Sequence, residues 1–205
     1  MSTSSKPSSS GARDLSEGRT WRFTSLALPE VILIQPPRFE DTRGWFCETY
    51  SQRIFEENGI DLTFVQDNSS FSEKTGTVRG LHYQTEPFAQ DKLVRVLRGR
   101  ILDVAVDIRK SSPTFGRHIS AELSASNGRA LLVPAGFAHG FVTLEPGTLV
   151  AYKVTAYYAA GHEHGIFWAD PALGIDWGLG SAAEATLSHK DMGLPALAQA
   201  EHLFV

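Results

Sequence analysis

From Val78 onward, apolar and polar positions alternate in short runs, and the spacing predicts a β protein. Leu102, Val104, Val106 and Ile108 alternate with Asp103, Ala105 and Asp107, the pattern of a strand with one buried face. Ile119, Ala121 and Leu123 alternate likewise with Ser120 and Glu122, and Lys92 to Leu97 is rich in β-branched residues. Ala130 to Val133, Gly140 to Leu144 and Leu149 to Tyr158 follow as strands, with Gly99, Asn127-Gly128 and Pro146-Gly147 as turns. Upstream, Val31 to Ile34 reads as a strand stopped by Pro36-Pro37, and Gly44 to Tyr50 as another. Ser51 to Asn58 reads as a short helix with Ser51 as N-cap and Gly59 as terminator, and Pro195 to His202 as a later one. Thr63 to Val65 leads into the polar run Gln66 to Ser70. Short strands at this spacing predict a sandwich or barrel. Residues 1–20 are Ser-rich and poor in apolar side chains, so they are expected to be a disordered leader, with a single domain over 21–205.

Composition narrows the function classes. A chain of 205 residues, 42% hydrophobic and 20% charged, suits one soluble domain with a sizeable core. The net charge of −4 argues against a nucleic-acid binder, although a local cluster of Arg and Lys could still hold a small anion. No apolar run reaches membrane-spanning length and the leader lacks the apolar stretch of a secretory signal, so a cytoplasmic protein is expected. The single Cys47 cannot form an internal disulfide, and a half-buried strand residue is its plain reading.

One set of spacings resembles the metal-binding double-stranded β-helix of the cupin type. Gly128, five residues, Pro134-Ala135-Gly136, two residues and His139 give its second half nearly complete. Gly76, five residues and His82 open the first half correctly, which then departs. Gln84 replaces the second His, and Lys92 stands where a ligating Glu belongs. An ammonium repels a divalent ion, and an amide is a poor ligand for a borderline metal. Two imidazoles and a positive charge suit proton transfer and the stabilisation of an oxyanion instead.

Each candidate also has a plainer reading. An isolated His82 would most often be a hydrogen-bonded structural histidine, but Arg79, Lys92 and His139 at the same mouth shift the balance. His139, flanked by Gly136 and Gly140 in the segment Pro134 to Gly140, reads equally as a loop cap. Tyr152, alternating with Val150 and Val154, reads by spacing as core. Asp191 reads locally as a charged loop residue. Arg43, Glu48, Gln66 and Asn68 could bind a polar ligand or simply be solvated.

Taken as an ordered series, the segments resemble the dTDP-4-dehydrorhamnose 3,5-epimerase family. They are Asp41 to Phe46, Phe64 to Asn68, Arg79 to Gln84, Lys92 to Arg95, Asp103 to Lys110, Ser112 to Gly116, Pro134 to Leu144, Tyr152-Lys153, Tyr157-Tyr158 and Ser188 to Asp191. The resemblance implies a mainly β, cupin-type jelly roll, a homodimer, and no metal or organic cofactor. It implies the substrate dTDP-4-dehydro-6-deoxy-D-glucose, whose C3 and C5 protons are both α to the C4 ketone. Catalytic roles carried over by resemblance are His82 as base, Asp191 as its partner, Lys92 on the enolate oxygen and Tyr152 as acid. Substrate-binding roles carried over are Arg43, Glu48, Gln66, Asp67, Asn68, Arg79, His139, Glu163 and Lys190, with Tyr157 or Tyr158 stacking on the thymine. The neighbourhood of Glu163, with His162 and His164, is less typical, and one extra residue falls between Asn68 and His82. Competing readings are a mono-epimerase of another deoxysugar pathway, a non-catalytic sugar-nucleotide binding module, and a metal-dependent cupin.

Overall fold

A computed structural model describes residues 20–205. The expected leader therefore falls, save for Thr20, outside the described residues. Two antiparallel sheets face each other. The first runs β1 (Arg22–Ser25), β2 (Ile32–Gln35), β10 (Ala130–Val133), β7 (Lys92–Arg98), β12 (Thr148–Val154), β5 (Gln66–Ser72). The second runs β13 (Glu163–Gly165), β6 (Val78–Gln84), β11 (Phe137–Thr143), β8 (Arg100–Asp107), β9 (His118–Ser124). A separate hairpin pairs β3 (Arg38–Asp41) with β4 (Gly44–Cys47), and the helices α1 (Gln52–Glu57) and α2 (His189–Met192) are short. This is the expected mainly β jelly roll.

Three apolar layers hold it. Val94, Val96, Ile101, Leu131, Val133, Phe141 and Val150 fill the space between the sheets. On the outer face of the first sheet, Ile34, Leu93 and Leu132 are covered by Phe55 of α1, with Trp21 and Phe23 beside it. Phe55 meets both rings edge-on, at 6.0 and 5.4 Å between centroids. On the outer face of the second sheet, Tyr83, Val104, Val106 and Val142 are covered by Ile166, Trp168 and Trp177 of the C-terminal segment. Each such side chain, fully buried, contributes about 1.5–3 kcal/mol.

The layers explain where the alternation misleads. β8 has both faces buried, not one: Leu102, Val104 and Val106, with Ile108 just beyond, lie under the C-terminal segment, while Ile101, Asp103, Ala105 and Asp107 face inward. Asp107 is tolerated there because Arg109, Ser112 and Thr114 all donate to its carboxylate, outweighing burial and holding it far below its usual range. The polar run from Gln66 is strand β5, with Gln66, Asn68, Ser70 and Ser72 turned inward. The strand expected over Gly44 to Tyr50 ends at Cys47, and that over Leu149 to Tyr158 ends at Val154. β11 starts at Phe137, so His139 lies within a strand and not in a loop. Ser51 does occupy the N-cap of α1, but its side chain makes no capping bond.

The helix expected over Pro195 to His202 is a single 3-10 turn, Leu197–Gln199. Its Ala-rich composition favours helix, yet packing wins. Phe167 N–H donates to Pro195 O, Leu197 N–H donates to Asp170 Oδ2, and Leu197, Ala200 and Leu203 pack on the outer layer. The last α-helical turn lies earlier, at α2, where Ser188 Oγ accepts from Asp191 N–H.

Candidate active site

A cavity of about 280 Å³ opens between the sheets and is lined by Ser70, Arg79, His82, Lys92, His139, Tyr152, Lys190 and Asp191 among others. A second space of about 170 Å³ shares His82, Lys92 and Tyr152 and adds Gln66, Asn68, Gln84, Tyr158 and Glu163. Segments far apart in sequence thus converge on one mouth.

A strand alone would not aim Arg79 and His82 the same way, because residues three apart point to opposite faces. The pairing of β6 with β11 supplies the correction. His139 opposes His82 and Phe141 opposes Arg79, so β6 carries one extra residue over this stretch. That bulge sits around Gly80, at φ +116, where a Cβ would lie 2.6 Å from His139 O and 2.7 Å from Gly140 Cα. Gly80 therefore brings Arg79 onto the face of His82. The Arg79 head is fixed by Ser72 Oγ at 3.1 Å and Phe71 O at 2.8 Å.

His82 Nε2 lies 2.6 Å from Asp191 Oδ1. Burial pushes the Asp191 carboxyl up, but His82, Ser188 and the Gly80 backbone outweigh it and hold it below its ordinary value. An ionised Asp191 only accepts, so Nε2 carries the ring proton and Nδ1 keeps the lone pair of a base. Across the strand pair, His139 Nε2 lies 2.7 Å from Asp103 Oδ1.

Lys92 is buried, and its Nζ donates to His82 O at 3.2 Å. Burial drives its ammonium down to about 8, against the pull of Asp103 and Glu163. Tyr152 is also raised by burial and by Glu163, with Arg79 opposing. It stays a protonated phenol at neutral pH. Glu163 accepts from Tyr158 Oη at 2.8 Å and from Lys190 Nζ at 2.6 Å. Burial pushes its carboxyl up, but these bonds and the Lys190 charge outweigh it and lower the carboxyl.

Gln84 is occupied elsewhere. Its Nε2 donates to Phe88 O at 2.7 Å and Tyr157 O at 3.1 Å, and its Oε1 accepts from Ala159 N–H at 2.8 Å. It clamps two loops at the mouth. Among the described residues no group of three His, Cys, Asp or Glu side chains is placed to hold a metal ion.

The other residues singled out from sequence are distributed differently. Gln66 and Asn68 line the mouth and bond to each other at 2.8 Å. Asp67 faces outward, pairs with Lys153 at 2.8 Å, and borders an outer cleft of about 410 Å³ that also touches Tyr152. Arg43 and Glu48 are exposed on the hairpin segment and line none of these cavities; Arg43 pairs with Asp41 at 2.5 Å. Tyr157 and Tyr158 are exposed beside the mouth. Gly80, Ser70 and Asp103 were not singled out by sequence. Gly80 shows no spacing signal for a bulge. The alternation along β8 gives Asp103 the signature of a solvent face. Ser70 belongs to a polar run that carries no strand signal, and its buried hydroxyl has no partner among the described residues.

The model of the dTDP-4-dehydrorhamnose 3,5-epimerase family matches residues 25–199. The chain is 53% identical over 177 residues to the dTDP-4-dehydrorhamnose 3,5-epimerase of Sinorhizobium fredii, covering 86% of this chain and 90% of that one. The crystal structure of the Bacillus anthracis dTDP-4-dehydrorhamnose 3,5-epimerase, with TDP and PPi bound, superposes with TM-score 0.83 at 47% identity, covering 86% of this chain and 99% of that one. The dTDP-6-deoxy-D-glucose-3,5-epimerase of Legionella pneumophila, in complex with dTDP-4-keto-L-rhamnose, superposes with TM-score 0.86 at 42% identity, covering 90% and 98%. The chain belongs to the dTDP-4-dehydrorhamnose 3,5-epimerase family.

Proposed function

We propose that this chain epimerises dTDP-4-dehydro-6-deoxy-D-glucose at C3 and C5, giving dTDP-4-dehydro-L-rhamnose, with its own side chains as the only catalytic groups. The observation that carries this reading is a base, a cation and an acid around one cavity: His82 with Asp191, Lys92, and Tyr152. His82 Nδ1 takes the proton from a carbon next to the C4 ketone. The electrons of that C–H bond become the enolate, with charge on the C4 oxygen. The imidazolium that forms is stabilised by Asp191 at 2.6 Å. Lys92 holds the developing oxyanion in a site of low dielectric, where such a contact is worth far more than in water. The enolate collapses, taking a proton at the same carbon from the opposite face, from Tyr152. Solvent restores the phenol and removes the proton from His82. The same set then serves the second carbon.

Arg79 and Lys190 are the proposed diphosphate contacts, since a guanidinium fork matches phosphate oxygens and an ammonium adds a point charge. The protein is also proposed to be a homodimer. Trp45 and Phe46 of the hairpin are 59% and 67% exposed, an apolar surface that a second copy would cover. Arg43 and Glu48 would then reach the partner's cavity and not their own. A cytoplasmic location belongs to the same proposal, because a nucleoside-diphosphate sugar does not cross membranes unaided and the enzyme must share its compartment. No helix among the described residues is long and apolar enough to cross a membrane.

Product analysis tests the reading. Incubation with dTDP-4-dehydro-6-deoxy-D-glucose and a 4-ketoreductase trap should give the L-rhamno product. A product inverted at only one carbon would make the protein a mono-epimerase, and none at all would leave a binding module.

A further inference from the structure

We propose that Asp103, which touches no substrate, is the positioning residue that keeps Lys92 charged and fixes the upper pH limit of the reaction. This rests on the reading of Lys92 as the group that holds the enolate. Asp103 comes from the inward face of β8 and is fully buried. One oxygen is 2.7 Å from His139 Nε2, and the other, Oδ2, is buried with no hydrogen-bond partner among the described residues. A buried carboxylate oxygen without a donor is costly unless a cation stands near it. His139 shares the cavity wall with Lys92, so the carboxylate that holds His139 acts on the Lys92 ammonium through space, with no hydrogen bond between the two.

The charged groups around Lys92 leave few alternatives to Asp103. From β6 come Arg79 and His82, from β11 His139, from β12 Tyr152, from β13 Glu163, and from α2 Lys190 and Asp191. Tyr158, on the loop before β13, completes the set. Arg79 and Lys190 oppose a second positive charge. Asp191 is committed to His82 and Glu163 to Tyr158 and Lys190. Asp103 is the remaining carboxylate, and the one with an uncommitted oxygen. The field at Lys92 agrees: Asp103 is the largest influence opposing the loss of its proton.

The direction follows. Lys92 must be protonated to hold the enolate, so its deprotonation sets the alkaline limb of activity. Asp103→Asn removes the charge but keeps an oxygen for His139. The limb should move to lower pH by about one pH unit or more, the size of effect a nearby opposite charge has. Activity lost at pH 8 should return on acidification. A merely structural role would lower activity by the same factor at every pH. The shift should vanish in a Lys92→Arg background, because a guanidinium does not titrate there. Nitrogen-15 NMR of the lysine side chains reads the Lys92 titration without catalysis. It should move down in Asp103→Asn and stay near the original in Asp103→Glu. If Asp103→Asn fails to fold, Asp103→Ser removes the charge with less bulk and reads the same limb. A Lys92 titration unmoved by loss of the Asp103 charge, in a protein whose unaltered form still epimerises, would overturn the proposal. An unaltered protein that does not epimerise would instead overturn the reading beneath it.

Discussion

Two histidine–aspartate pairs stand opposite each other on neighbouring strands, and they differ in exposure. His82 and Asp191 have side chains 27% and 5% exposed, while His139 and Asp103 are 9% and 0% exposed. The first pair faces the cavity, and its carboxylate arrives late in the chain, on the short α2. The second is built into the barrel wall, with its carboxylate on the adjoining strand β8. The same two residue types therefore sit in different surroundings. An imidazole open to a cavity can exchange protons with a ligand. An imidazole locked against a buried carboxylate sets the field of the wall. Position on the sheet, and not residue type, separates the more open imidazole from the more buried one.

Several substitutions would break or sharpen that contrast. The largest effect is expected at the open pair. Asp191→Asn keeps the shape but presents its amide to Nε2 and disturbs the tautomer, so kcat should fall by about 10³–10⁴. A smaller loss is expected from Lys92→Met, which removes the oxyanion contact. There kcat should fall by about 10²–10³ with KM little changed. Gly80→Ala tests the bulge that aims Arg79 and His82 together. The added Cβ meets the β11 backbone at 2.6 Å, so strain of about 1–3 kcal/mol should lower the melting temperature. The displaced groups should cost on the order of 10²-fold in kcat/KM.

The effect that leaves the catalytic rate aside is on stability against pH, followed by denaturant melts. Lys92 has a folded value of about 8, below the ~10.4 of an unfolded lysine, so the unfolded chain binds more protons in that window. Stability should rise with pH from 8 towards 10, by up to roughly 3 kcal/mol from this group. Activity should fall over the same range. Above about 10 the trend should reverse, because buried Tyr83 is pushed up to about 12 and keeps a proton that the unfolded chain loses. Stability falling between pH 8 and 10 would contradict a buried Lys92.

The sequence made the scaffold legible wherever one strand face packs and the other is solvated, as in β9, or where a turn is chemically marked, as at Asn127-Gly128. It misled where both faces are buried. The inward Asp103 and Asp107 of β8 imitate a solvent face because polar residues line a functional interior as readily as they meet water. The same cause hid β5, whose inward Gln66, Asn68 and Ser70 break the usual code. The helix expected over Pro195 to His202 failed because docking on the outer layer overrode propensity. At the site, the departures at Gln84 and Lys92 from a metal-binding pattern are legible as spacing, and they carry the expectation of acid–base chemistry. The approach of Asp191 to His82 was not visible in spacing. Their separation of 109 positions is closed by the C-terminal segment as it folds over the second sheet. Nor could any periodicity report Gly80, since a bulge is an interruption of period.

Deuterium incorporation at C3 and C5 of dTDP-4-dehydro-6-deoxy-D-glucose, followed by proton NMR in D₂O, tests the central claim most directly when the unaltered protein is compared with His82→Asn. The account predicts loss of both signals with the unaltered protein and neither with a folded His82→Asn. Continued exchange at either carbon in that variant would contradict the assignment of His82 as the base.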